Sequence, residues 1–199
     1  MEALEVKEKI EEVAEGQEGS RSTNLRIGLL IAALAALLAL LEAGGKAAQT
    51  EAINANLQAS DLWAFFQSKT ARVTTIRTAA ETAKLSLQGD LPAETKAAIQ
   101  KQIDAWNATA ERYDSEPQTG EGRKELTERA KEAETERDRK LAAYHFFELG
   151  SAASQLAIVL ASAAIITGVT FLVYFAGGLG IIGTGLGLIA WLAPTMLHL

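Results

Sequence analysis

The sequence predicts an all-α integral membrane protein with three transmembrane helices and a long extramembrane antiparallel helical hairpin of coiled-coil type. Three observations predict it. Residues 149–199 hold no Asp, Glu, Lys or Arg, a stretch long enough for two crossings of about 20 residues each. A separate apolar run, IGLLIAALAALLALL, occupies residues 27–41. Between these blocks, residues 46–149 are rich in Ala, Glu, Lys, Gln and Arg, with proline only at Pro92 and Pro117, which is the composition of nearly continuous helix.

Residues 1–24 carry seven acids and three bases. Ala3, Val6, Ile10 and Val13 recur at helical spacing, so this acidic N-terminal segment reads as a short amphipathic helix. An acidic face suits anionic lipid poorly, which leaves a protein contact or a frayed tail as the expectation. The first transmembrane helix is placed at 25–45. Its apolar run rises only about 22 Å against a hydrocarbon layer of about 30 Å. Leu25 and Ala43 extend it, and Arg26 can reach outward along its own stem. The long acidic segment in front speaks against a cleaved signal, which needs a short basic one.

Residues 46–149 are assigned to the extramembrane hairpin, with helices at about 46–88, 92–115 and 123–149. GDLP, residues 89–92, is a helix stop followed by proline at a helix start. EPQTGEG, residues 116–122, is a second break. Val73, Ile76, Ala80, Ala83 and Leu87 follow alternating three- and four-residue steps, as do Ile99, Ile103, Trp106, Ala110 and Tyr113. The third helix carries a thinner seam of Leu126, Ala130, Ala133 and Leu141 within a charged surface. It has no stop signal before the second apolar block and is expected to run straight into it.

The second and third transmembrane helices are placed at 150–176 and 179–197, with Gly177-Gly178 as a tight reversal between them. Tyr144, Phe146, Phe147 and Trp191 fall where interfacial aromatics are expected. Small residues recur in all three spans: Gly28, Ala32 and Ala36; Ala153, Ala157 and Ala161; Gly180, Gly183 and Gly187. Within lipid such residues let helix backbones approach closely, so these nine are the candidate packing positions. Gln155 and Ser162, seven residues apart, are a candidate polar membrane face. The second and third spans hold no acid or base at membrane depth, which disfavours a proton relay or ion-coupled carrier. An oligomeric pore lined by small or hydroxyl groups stays open.

Enzyme chemistry finds little to work with. The chain has no cysteine and two histidines, so disulfide frameworks, cysteine-based zinc sites and thiol nucleophiles are excluded. Glu132 and Glu136 pair with nearby bases along a helix surface, the ordinary decoration of an exposed helix. GGLGIIGTGLG, residues 177–187, has the spacing of a dinucleotide-binding fingerprint. That fingerprint needs a βαβ unit and an acidic partner roughly 20 residues on. No acidic residue follows Gly183, and the flanks are apolar spans. The expectation is no catalytic residue, no metal and no cofactor. The acidic balance, a formal net charge of −6, and the lack of a clustered basic face argue against nucleic acid.

QASDLWAFFQSKTARVTTIRTA, residues 58–79, carries Asp61, Trp63, Phe65, Phe66, Gln67 and Lys69 in one helical stretch. This stretch resembles an uncharacterised bacterial family, the one containing domain of unknown function 4337. FFELGSAASQLAIVLASAAIIT, residues 146–167, is similar to that family's second span. The resemblance implies the same order of elements and a bacterial membrane origin, and it implies no reaction. Leu62 stands where a polar residue is expected in the family, and Phe65 and Phe66 where tyrosine is common. Trp63 and Phe66 lie about 60° apart around the helix and Phe65 on another side. These three with Trp106 are candidates for subunit or partner contacts, the alternative being core packing.

The expected function is a non-enzymatic, homo-oligomeric bacterial inner-membrane protein presenting a helical-hairpin interaction domain. Its partners would be membrane lipid, copies of itself and a protein docked on the hairpin. The alternative is a channel or transporter component. Basic residues near the membrane ends, Lys46, Arg129, Lys131, Arg137, Arg139 and Lys140 against Arg21 and Arg26, put the hairpin in the cytoplasm.

Overall fold

The computed structural model describes the backbone of residues 2–196 and the side chains of residues 22–196. The side chains of the N-terminal segment around Ala3, Val6, Ile10 and Val13 lie outside the described residues. Four helices follow one another: α1 (Glu2–Ser86), α2 (Ala93–Asp114), α3 (Arg123–Thr167) and α4 (Phe171–Leu192). They form two compact units, one of Met1–Thr50 with Arg139–Leu199 and the other of Glu51–Asp138. Three of the helices are long and apolar enough to cross a membrane.

One register governs the buried side of α1. Ile27, Leu34, Leu41, Ala48, Ala55, Leu62 and Lys69 are all buried and fall seven residues apart. A seven-residue repeat keeps the same stripe turned toward a neighbouring helix. Isoleucine and leucine occupy the stripe as far as Leu41, and small alanines dominate the buried side from Ala48 to Ala59.

In the first unit, Ile27 and Leu34 of α1 pack with Ala157, Ala161 and Ala164 of α3 and Ala176 of α4. Leu30, Ile31, Leu172 and Val173 cover this cluster. Core positions filled mainly by alanine bring the three backbones close, so dispersion rather than side-chain bulk holds them.

The reversal between the last two helices differs from the expectation. It falls at Gly168, Val169 and Thr170, and Gly177 and Gly178 lie inside α4. Gly168 adopts φ +71°, the left-handed conformation that ends helices without Cβ strain. Its amide donates back to the Ala164 carbonyl at 2.9 Å, and Leu172 N–H donates to the Val169 carbonyl at 3.2 Å. The second apolar helix therefore ends at Thr167 rather than 176, and the third begins at Phe171 rather than 179. Each glycine inside a helix costs about 1 kcal/mol relative to alanine, a cost that leaves α4 unbroken at Gly177-Gly178.

In the second unit, Ala59 and Leu62 of α1 pack with Leu126, Ala130 and Ala133 of α3. Val73 and Ala80 of α1 and Ile103 and Ala110 of α2 are also buried. Pro92 stands before α2 with extended backbone, φ −54° and ψ 144°, and its carbonyl accepts from Lys96 N–H at 3.0 Å. The turn from α2 to α3 is held by Glu125. Its carboxylate accepts from the Ser115 hydroxyl at 2.7 Å and from the Glu116 amide at 3.1 Å. A Cβ on Gly122 would meet the Glu125 carboxylate and the Glu116 amide, so only glycine fits there. Leu141, expected on the α3 seam, is exposed.

Candidate functional site

Two arrangements collect the singled-out residues. The first is an aromatic and cationic cluster in the second unit. Trp63 and Phe66 stand edge to face with ring centroids 5.6 Å apart, and both pack against the α1–α3 core. The Trp63 indole N–H donates to the Glu134 carboxylate at 2.9 Å. Within the chain, Trp63 and Phe66 are half-buried and pack on α3, the core-packing alternative. Phe65 points to another side and is 36% exposed. Trp106 of α2 is half-buried beside a shallow groove lined by Thr74, Thr78 and Thr82 of α1.

Lys69, named only as part of the resembling stretch, is a packed residue that sequence reasoning did not single out. It is buried, with 5% of its surface exposed. Its Nζ sits 5.2 Å from the Phe65 ring centroid and 4.8 Å from that of Tyr113, and 3.6 Å from the Glu121 carboxylate. Two ring faces and one carboxylate replace the water lost by the ammonium. Arg123 lies over Phe66 at 5.3 Å and pairs with Asp114 at 2.7 Å, while Arg77 also pairs with Asp114. The cluster thus ties α1, α2 and α3 together. A signal for Lys69 was present, because it falls on the seven-residue register of Leu62 and Ala55.

The Ser115 hydroxyl, first, and the Glu116 amide hold the Glu125 carboxyl below the usual carboxylate range. Both donors satisfy the charged form and fasten the start of α3. Among the described residues, no three of His, Cys, Asp and Glu converge as metal ligands would.

The second arrangement is the glycine face of α4. A Cβ on Gly180 would stand 2.6 Å from Leu34 Cδ2, and one on Gly187 2.5 Å from Leu41 Cδ2. A Cβ on Gly183 would stand 2.7 Å from Ser154 Oγ and 3.0 Å from the Gly150 carbonyl oxygen. A Cβ on Gly150 would likewise stand 3.0 Å from the Gly183 carbonyl oxygen; Gly150 was not among the expected packing positions. Ala153, Ala157 and Ala161 are buried. Gly28, Ala32 and Ala36 are not: all three are exposed, and a Cβ on Gly28 would meet nothing within 4 Å. The inward face of that span belongs to Ile27, Leu34 and Leu41, because leucine side chains fill the hollows that the glycines of α4 leave open.

The two polar span residues, seven apart on α3, hydrogen-bond to different partners. Gln155 is exposed and donates to the Glu42 carboxylate at 3.4 Å. The Ser162 hydroxyl turns back to its own helix and donates to the Ile158 carbonyl at 2.8 Å. Phe146, expected at an interface, is buried, while Trp191 is exposed. Phe147 lies against Gly44, where a Cβ would stand 2.8 Å from its ring.

A family model described as domain of unknown function (DUF4337) matches residues 23–193. The chain belongs to this family. No curated protein and no solved structure matches it. The DUF4337 match takes in the aromatic and cationic cluster, the glycine face of α4 and the reversal at Gly168. The acidic segment before Thr23 falls outside it. The stretch that carries the resemblance, Asp61 to Lys69, supplies Trp63, Phe65, Phe66 and the buried Lys69 to the contacts among α1, α2 and α3.

Proposed function

We propose that this DUF4337 protein is a multi-pass inner-membrane protein of bacteria that self-associates and offers its charged helical region as an interaction module without catalytic activity. The observation that carries the reading is the surface of the first unit. Many outward-facing positions there are large and apolar, with Ile166 85% exposed and Trp191 78% exposed. An apolar surface of that extent is stable in lipid and unstable in water. The second unit is the opposite, with many charged residues on the outward positions of α2 and α3, as an aqueous module requires. Counting basic residues near the membrane ends favours a cytoplasmic hairpin, packed as a coiled coil along the seven-residue register.

Carbonate extraction of membranes from expressing cells tests the membrane assignment: the chain should stay in the pellet, and release into the supernatant would contradict it. A second reading, a channel component, draws on the Gln155–Glu42 pair on the outer surface of the first unit. Flux of small ions into proteoliposomes that is lost in Gln155→Leu would favour it, and absence of flux would remove it.

A further inference from the structure

The second unit has one outward helix face unlike the others. On α1, Ile53, Leu57, Ser60 and Ala64 follow steps of four and three, and Ala71 lies one seven-residue repeat further on. All five are exposed, Ile53 by 54% and Leu57 by 57%. The remaining positions of this stripe as far as Thr78 are Gln67, Thr74 and Thr78 itself, so every member is uncharged. It lies on the side of α1 away from the buried Ala59, Leu62 and Val73. The outward faces of α2 and α3 in the same unit carry exposed charges, among them Lys101, Asp104, Glu128 and Lys131. A helix face that is only solvated normally carries such charges; this stripe carries none over about 38 Å.

We propose that this stripe is the contact between copies of the chain in the second unit, formed by α1 packing in parallel on α1 of a second copy. The proposal rests on the membrane and self-association reading above. A stripe without charge offers nothing to a charged partner. Its footprint, about 38 Å long and about 10 Å wide, is roughly 400 Å², about half of the roughly 800 Å² per partner of a standard soluble complex. A free partner is weakly held by that area, whereas a copy anchored in the same membrane meets it at high effective concentration. Copies anchored alike also run α1 in the same direction, so Ser60 meets Ser60 and Ala64 meets Ala64, and these small residues permit close approach. Charge at the edges of the stripe is compatible with this pairing. In a parallel pair the flanking Asp61 of one copy lies across from Asn56 of the other, so no like charges are opposed there.

The chain has no cysteine, so single cysteines can be introduced into the full-length protein and oxidised in membranes. Leu57→Cys, Ser60→Cys and Ala64→Cys should form a disulfide-linked dimer of twice the chain mass. Glu128→Cys and Lys101→Cys, on the charged faces, should not. Ser60→Glu with Ala64→Glu should lose the oligomer on a native gel while keeping the helix content of the parent chain. Dimer formation no stronger at 57, 60 and 64 than at 128 would overturn the proposal, as would adducts of another mass or an unaltered oligomer in the double variant. A multimeric native mass together with absent cross-links would leave self-association standing and remove only this surface.

Discussion

Single glycines in α4 have opposite consequences although they lie a few residues apart. Gly183→Ala would push a methyl against the Gly150 carbonyl oxygen, which as backbone cannot rotate away; overpacking of this kind costs about 1–3 kcal/mol. Gly178→Ala meets nothing within 4 Å and removes a helix-weakening residue, with a gain of up to about 1 kcal/mol. Thermal midpoints in mild detergent should therefore fall for the first and hold or rise for the second; equal shifts would contradict the placement of the reversal at Gly168. Lys69→Met keeps the buried volume and removes the desolvated charge. Because Glu121 is itself half exposed, it returns to water at little cost, and stability should change by less than about 1 kcal/mol. Lys69→Ala, which also empties the space between the Phe65 and Tyr113 rings, should be clearly destabilising in the same melt. Glu125 adds a pH dependence. Its carboxyl titrates below the ordinary value of 4.5, so its contribution is present above that pH and is lost as the pH falls through the lowered value. Amide resonances of Gly120 and Gly122 should shift with a midpoint below 4.5, and the shift should vanish in Glu125→Gln. A midpoint at or above the ordinary value would refute the hydrogen-bonded clamp.

At the level of elements, helix ends decide the topology. Gly168 closes α3 with a left-handed residue, a conformation that costs a residue with a side chain about 1–2 kcal/mol. Gly168→Val should lower the thermal midpoint more than Gly177→Val, a comparison that the melt settles directly. Helix existence was legible because propensity and period agree over long stretches, as in Val73, Ile76 and Ala80. The reversal was not, because a glycine pair inside an apolar helix looks like a stop, whereas the decisive glycine was the single one followed by Val169 and Thr170. The packing residues were legible in part. Ala153, Ala157 and Ala161 and, on α4, Gly180, Gly183 and Gly187 mark close contacts by their size, but Gly28, Ala32 and Ala36 share that size and face outward. Residue size states what a face permits, and only the partner helix determines whether the face is used. Lys69 was missed for a related reason: a lysine reads as surface until the Phe65 and Tyr113 rings around it are known.

For the whole molecule, two kinds of surface matter. The first unit exposes apolar side chains around an alanine core, and the second exposes charge widely but not along one stripe of α1. Together these features are what the proposed membrane and self-association reading rests on. The most direct measurement is the native mass of the full-length protein released from a mild detergent. A single species at an integer multiple of the 21.2 kDa chain, two or greater, is the predicted result. A monodisperse monomer that retains its full helix content would contradict self-association.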